Sequence, residues 1–248
     1  MIGVFDSGVG GISACKELRR LLPTADIVFL ADRKNAPYGT KSEDELTELV
    51  KTDVKRLRDL GASRILIACC TASTVYDRLP DKDRAIALPI IAPAARAAIG
   101  SEATLRSEYG GIPHIGVIAT EATVRSHAFG RLIRALDPHT RVTEIATQQL
   151  VSLVESGGRD GALDPRGEIL VDGIAERIRR ADISTLILGC THFSHLRSEL
   201  QRRLRGTVII DAARLGAAEM ARAVTNDINN EKNLSEDNIR GRGRTIYT

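Results

Sequence analysis

Apolar and polar positions alternate along this chain in blocks. Short runs rich in β-branched residues are separated by longer segments with helical spacing. The runs Ile2–Phe5, Ile27–Ala31, Arg64–Ala68, His114–Ala119, Thr185–Gly189 and Val208–Ile210 read as strands. The clearest helical segment is 42–60. Ser42 and Glu45 have capping-box spacing, Leu46, Leu49, Val50, Leu57 and Leu60 form a stripe, and Gly61 ends the pattern. Helices are also expected over Ile12–Leu22 and Ala212–Ala223. Strand–helix alternation of this kind predicts an α/β fold of parallel sheets covered by helices. Such sheets hold ligands at the carboxyl ends of their strands.

The pattern repeats. Ile2-Gly3-Val4 opens one half and Ile115-Gly116-Val117 opens another. Each half later has an apolar strand ending in a small residue and a cysteine: Ala68-Cys69 in the first, Gly189-Cys190 in the second. A threonine follows one or two positions on. Two related halves are expected, a first α/β domain of 1–93 plus 206–248 and a second of 94–205. The strand Val208–Ile210 and the helix after it would then return to the first half. Thr225–Arg244 is polar and Asn-rich and reads as a surface loop or frayed end. Its Arg240-Gly-Arg-Gly-Arg244 run reads as a solvated charged face, with contact to a polyanion as the alternative.

Composition narrows the function classes. The chain has 248 residues, 43% hydrophobic and 27% charged, enough to bury a sizeable core. No apolar run reaches the ~18 residues of a membrane span, and the start, MIGVFDSGVGG, has no secretory pattern. A net charge of +3 does not point to nucleic acid as the main partner. Four cysteines, Cys15, Cys69, Cys70 and Cys190, are too few for a disulfide scaffold of this length. Reduced thiols and a cytoplasmic setting follow, and a cytoplasmic cysteine can serve as a catalyst.

Cys69 and Cys190 hold matching places where a strand gives way to a turn or helix, with Thr71, Thr191 and His192 close behind. A helix start beside a thiol lowers its pKa and favours thiolate; the alternative is a small buried hydrophobe, which is the reading for Cys15. Asp6-Ser-Gly-Val-Gly-Gly11 is either an anion cradle at a helix start or a tight turn capped by Asp6 or Ser7. Pro37-Tyr38-Gly39-Thr40 is by itself a turn. No close Cys/His pair recurs at ligand spacing, so no metal site is expected.

Six strings carry a resemblance: IGVFDSGVGG (2–11), PYGTKS (37–42), IACCTAS (67–73), IGVIATEATVRS (115–126), LVESG (153–157) and LILGCTHF (186–193). With them the chain resembles the glutamate racemase family of the cofactor-independent aspartate/glutamate racemases. The resemblance implies two pseudo-symmetric α/β domains with the active site between them, no metal and no pyridoxal phosphate, and often a homodimer. It implies that Cys69 and Cys190 are the acid/base thiols, with Asp6 supporting Cys69 and His192 supporting Cys190. Glu155 matches a further acidic residue near the second thiol. Ser7, Tyr38, Gly39, Thr71, Thr123 and Thr191 fall where the family holds the amino and carboxylate groups of glutamate. Cys70 stands where the family usually has asparagine, and borders the same site. The activity implied is interconversion of L- and D-glutamate, supplying D-glutamate for peptidoglycan of the cell wall. The alternatives are an aspartate or relaxed-specificity racemase, or a silent amino-acid-binding protein.

Overall fold

A computed structural model of the chain describes residues 1–110, 112–157 and 163–241. The first part runs β1 (Ile2–Asp6), α1 (Ile12–Leu21), β2 (Ile27–Ala31), α2 (Glu43–Asp59), β3 (Arg64–Ile67), α3 (Cys70–Ser73), α4 (Asp81–Arg84) and β4 (Ala87–Pro89). The chain continues through α5 (Ile91–Tyr109), β5 (His114–Ala119), α6 (Glu121–Ser126), α7 (Ala128–Leu136), β6 (Arg141–Ala146) and α8 (Gln149–Glu155). It ends with α9 (Pro165–Arg180), β7 (Thr185–Gly189), α10 (Arg197–Arg203), β8 (Val208–Asp211) and α11 (Ala212–Gly241). All six expected strands are present, and β4 and β6 are additional.

The strands form two parallel sheets of four, in the orders β2-β1-β3-β4 and β6-β5-β7-β8. The two orders are the same topology twice, which gives the internal repeat its physical meaning. Between the sheets lies one apolar cluster. It draws Ile2 and Val4 from β1, Leu66 from β3, Ile115 and Val117 from β5 and Ile187 from β7, together with residues of α1, α5, α7 and α11. α2 covers the outer face of the first sheet. α8, α9 and α10 cover the outer face of the second. The 42–60 helix forms as its sequence requires: the Ser42 hydroxyl accepts from the Glu45 N–H at 3.3 Å, and Glu45 Oε2 accepts from the Ser42 N–H at 3.0 Å. Gly61 follows at φ +92°, a conformation that side-chain-bearing residues rarely adopt.

Three expectations are corrected. The strand at 208–210 does not return to the first half: β8 pairs with β7 and forms an edge of the second sheet. Only α11 turns back, packing on α1. The boundary expected at Pro93 falls inside α5, whose apolar residues join the core shared by both sheets. The segment from Thr225 is also helical to Gly241 rather than loop. Val224 still packs on the central core, and Asp227 accepts two hydrogen bonds from Arg64 of β3, at 2.8 and 2.9 Å, so α11 is tied to the first sheet past the point where its apolar pattern fades. Arg242–Arg244 lie outside the described residues. Among the described residues no helix is long and apolar enough to cross a membrane.

Candidate active site

Strand register places the site. In the first sheet Phe5 pairs with Ile67, so Asp6–Ser7 and Ala68–Cys69 leave adjacent strands at the same edge. In the second sheet Ala119 pairs with both Ala146 and Gly189, so Thr120, Thr147 and Cys190 leave three neighbouring strands together. Residues from the two edges line one cavity of about 30 Å³. That volume has room for water and is tight for an amino acid.

Cys69 lies two residues past β3 and caps the single turn of α3, where its Sγ accepts from the Ala72 N–H at 3.4 Å. Ser7 Oγ lies 3.5 Å from the same sulfur. Cys190 follows β7, and its Sγ is 3.7 Å from Nδ1 of His192. Nε2 of that ring is 3.3 Å from Glu155 Oε1, an ion-pair distance once the ring is protonated, though without hydrogen-bond alignment. Asp6 is fully buried. It accepts from the Gly8 N–H at 2.8 Å and from the Thr191 hydroxyl at 3.0 Å, the latter bond joining the two halves. The bonds of Asp6 therefore go to backbone and to Thr191, while its charge reaches both thiols.

The thiols do not behave as a helix start alone would make them. Burial pushes Cys69 up to about 11, with the Asp6 charge adding to it, and the Ser7 and Ala72 donors oppose this only in part. Burial also raises Cys190 and Cys70, and Asp6 itself is raised by burial against the pull of His192. One turn of helix cannot offset the loss of water around a thiolate.

The remaining expected residues gather here too. Thr71, Thr191, Tyr38, Gly39 and Cys70 line the cavity. Cys70 is 1% exposed and also packs into the central core. Thr123 sits behind the wall, where Thr71, Thr120 and Thr123 form a closed triangle of hydroxyls at 2.9–3.1 Å. The Tyr38 hydroxyl lies 2.7 Å from Asp32 and 3.1 Å from Asp53 of α2, which fixes the turn carrying Gly39. Cys15 lies apart on α1, partly buried, and burial raises its thiol to about 12. Among the described residues no three His, Cys, Asp or Glu side chains are placed to hold a metal ion.

Gly8 and Pro37, from two of the turns singled out above, also line the cavity, and sequence reasoning missed Ala36, Thr120, Gln148 and Val151. Thr120 reads as a helix cap, which it is, its hydroxyl accepting from the Thr123 N–H. Gln148 follows β6, the strand that was not expected, so nothing marked it as a strand-end residue.

A family model described as Asp/Glu/hydantoin racemase matches residues 11–220. The chain belongs to that family. The glutamate racemase of Desulforudis audaxviator is 39% identical over 210 residues, covering 84% of this chain and 73% of the relative. Among solved structures, a glutamate racemase isoform of Bacillus anthracis matches with a TM-score of 0.79 at 30% identity, covering 92% of this chain and 82% of that one. The glutamate racemase of Francisella tularensis, solved with D-glutamate, matches with a TM-score of 0.78 at 28% identity over 91% and 81%.

Proposed function

We propose that this chain is a glutamate racemase in which Cys69 and Cys190 exchange protons with opposite faces of the substrate α-carbon. The observation that carries the reading is that two strand-end thiols, one from each sheet, border one cavity with a set of hydroxyl donors. Racemisation removes the α-hydrogen from one face and returns a proton to the other. One fixed base cannot reach both faces, but two opposed ones can, each sulfur about 3–3.5 Å from the α-carbon.

In one direction Cys69 is the thiolate and Cys190 the thiol, and in the other the roles reverse. The thiolate takes the α-proton, the electron pair delocalises into the carboxylate, and the opposite thiol donates its proton to the other face. An α-proton is a very weak acid. A thiolate whose pKa is raised by burial is a stronger base than one in water, and so better matched to this task. The cost is a small thiolate population at neutral pH. The ammonium of the substrate supplies a cation that favours both the thiolate and the ionised Asp6. Ser7, Thr71 and Thr191 and nearby backbone N–H groups are the donors for the carboxylate, in a site that excludes water. His192, held between Cys190 and Glu155, can pass a proton to or from the second thiol. Free cysteines suit a reducing, cytoplasmic setting, and D-glutamate for peptidoglycan is the use implied by the family.

Circular dichroism of L-glutamate with the protein should decay to zero without added metal or cofactor. Retained rotation would overturn the reading. Decay with L-aspartate but not L-glutamate would replace it with an aspartate racemase.

A further inference from the structure

We propose that Gln148 is a specificity residue whose side-chain amide holds the carboxylate at the far end of the substrate; this rests on the glutamate reading above. Among the described residues neither lysine nor arginine lines the cavity. A substrate with two carboxylates therefore has to satisfy both with neutral donors, because a buried carboxylate without partners is costly. The acidic groups of the site, Asp6 and Glu155, lie at the end where His192 and Cys190 stand. That end suits the ammonium and repels a second carboxylate.

Gln148 marks the other end of the same wall. Gln148, Val151 and Glu155 all face the cavity from the segment that becomes α8. Seven residues of helix separate the first from the last, about 10 Å along the axis. The base of Gln148 is fixed: the Thr147 N–H donates to the Ala119 carbonyl at 2.8 Å, and the Val151 N–H to the Gln148 carbonyl at 3.0 Å. Its side chain crosses the cleft to the first half. Oε1 would clash with a Cβ on Gly39, so only glycine leaves room for the amide at that place. This Oε1 is buried and has no hydrogen-bond partner. A side-chain amide presents either its oxygen or its NH₂ by a half-turn about its last bond, and the NH₂ is a donor suited to a carboxylate. Among the described residues Gln148 is also the only side-chain amide in the lining.

The test compares wild type with Gln148→Met and Gln148→Glu, both close to glutamine in shape, by KM and kcat for L- and D-glutamate. Loss of one hydrogen bond to a charged group should raise KM by about tenfold or more in Gln148→Met, with kcat changed much less. Gln148→Glu should raise KM further, since it sets a carboxylate against a carboxylate. KM within about twofold of wild type in both variants overturns the inference. So does a fall in kcat or melting temperature without a change in KM, which is what a side chain that only fills the cleft would give. A wild type that racemises no glutamate overturns the proposed function as well, so the two failures are told apart.

Discussion

Burial and charge act on the two site thiols in the same direction. Cys69 and Cys190 are both deprived of water, and Asp6 adds a negative potential to each, so both favour the neutral thiol. Such a pair does acid/base work only if both members are present. Cys69→Ala and Cys190→Ala are each expected to lower glutamate racemisation by more than ~10²-fold, the scale of general acid–base catalysis. Cys15→Ala should change it little, since Cys15 is on α1 away from the cavity. Rates of the three purified variants by circular dichroism check this, and substantial activity in either of the first two contradicts the assignment. At this scale the sequence was legible where chemistry and position coincide. Asp6, Cys69 and Cys190 stood out because each sits at or just past a strand end, with His192 two residues beyond Cys190, while the roles given to them came from the family resemblance. Thr120 and Gln148 did not, because a threonine at a helix start looks like a cap and a glutamine after an edge strand looks like loop. The thiol pKa direction was also beyond reach, because it depends on burial, which periodicity does not report.

At the scale of elements, local chemistry decided what could be read. The capping box of α2 formed with both of its hydrogen bonds, because its two residues are three apart and need nothing from the rest of the chain. Ser42→Ala removes the hydroxyl's half of the capping box and is expected to cost about 1 kcal/mol, lowering the melting temperature by about 2–4 °C. Activity should survive, since Asp53, which steadies Tyr38, lies further along the same helix. A thermal melt of the variant, read beside its racemase rate, checks both. β4 was hidden because it is only three residues long and ends in proline. β6 was hidden because its pattern, Arg-Val-Thr-Glu-Ile-Ala, mixes polar and apolar positions as a half-exposed edge strand does. The partner of β8 was misread for a different reason. Its sequence specifies a strand, whereas the choice between sheets is made by long-range pairing, and here β7 offered the free edge.

For the whole molecule, two sheets of one topology share a layer of helices, so the two walls of the site are held by one common core. Burying so many thiols has a consequence for stability. The folded pKa of Cys69 is about 11 and that of Cys15 about 12, above the ordinary 9.0, so the fold favours their protonated forms. That contribution is complete below pH 9 and is lost as pH rises toward 11. The melting temperature in reducing buffer should fall over this window, and less steeply in Cys69→Ala; equal slopes would contradict the burial of that thiol. The repeat and the α/β class were legible because identical strand–cysteine patterns recur, whereas the closeness of the two halves was not, since no local pattern encodes it. The central claim is that each face of the α-carbon has its own thiol, and hydrogen isotopes test it most directly. L-glutamate bearing an ordinary α-proton is incubated with the protein in D₂O, and the earliest products are separated by enantiomer. Two opposed thiols, the second charged with deuterium from solvent, predict D-glutamate that carries deuterium at the α-carbon while the remaining L-glutamate keeps its proton. D-glutamate that retains the original α-proton would contradict it.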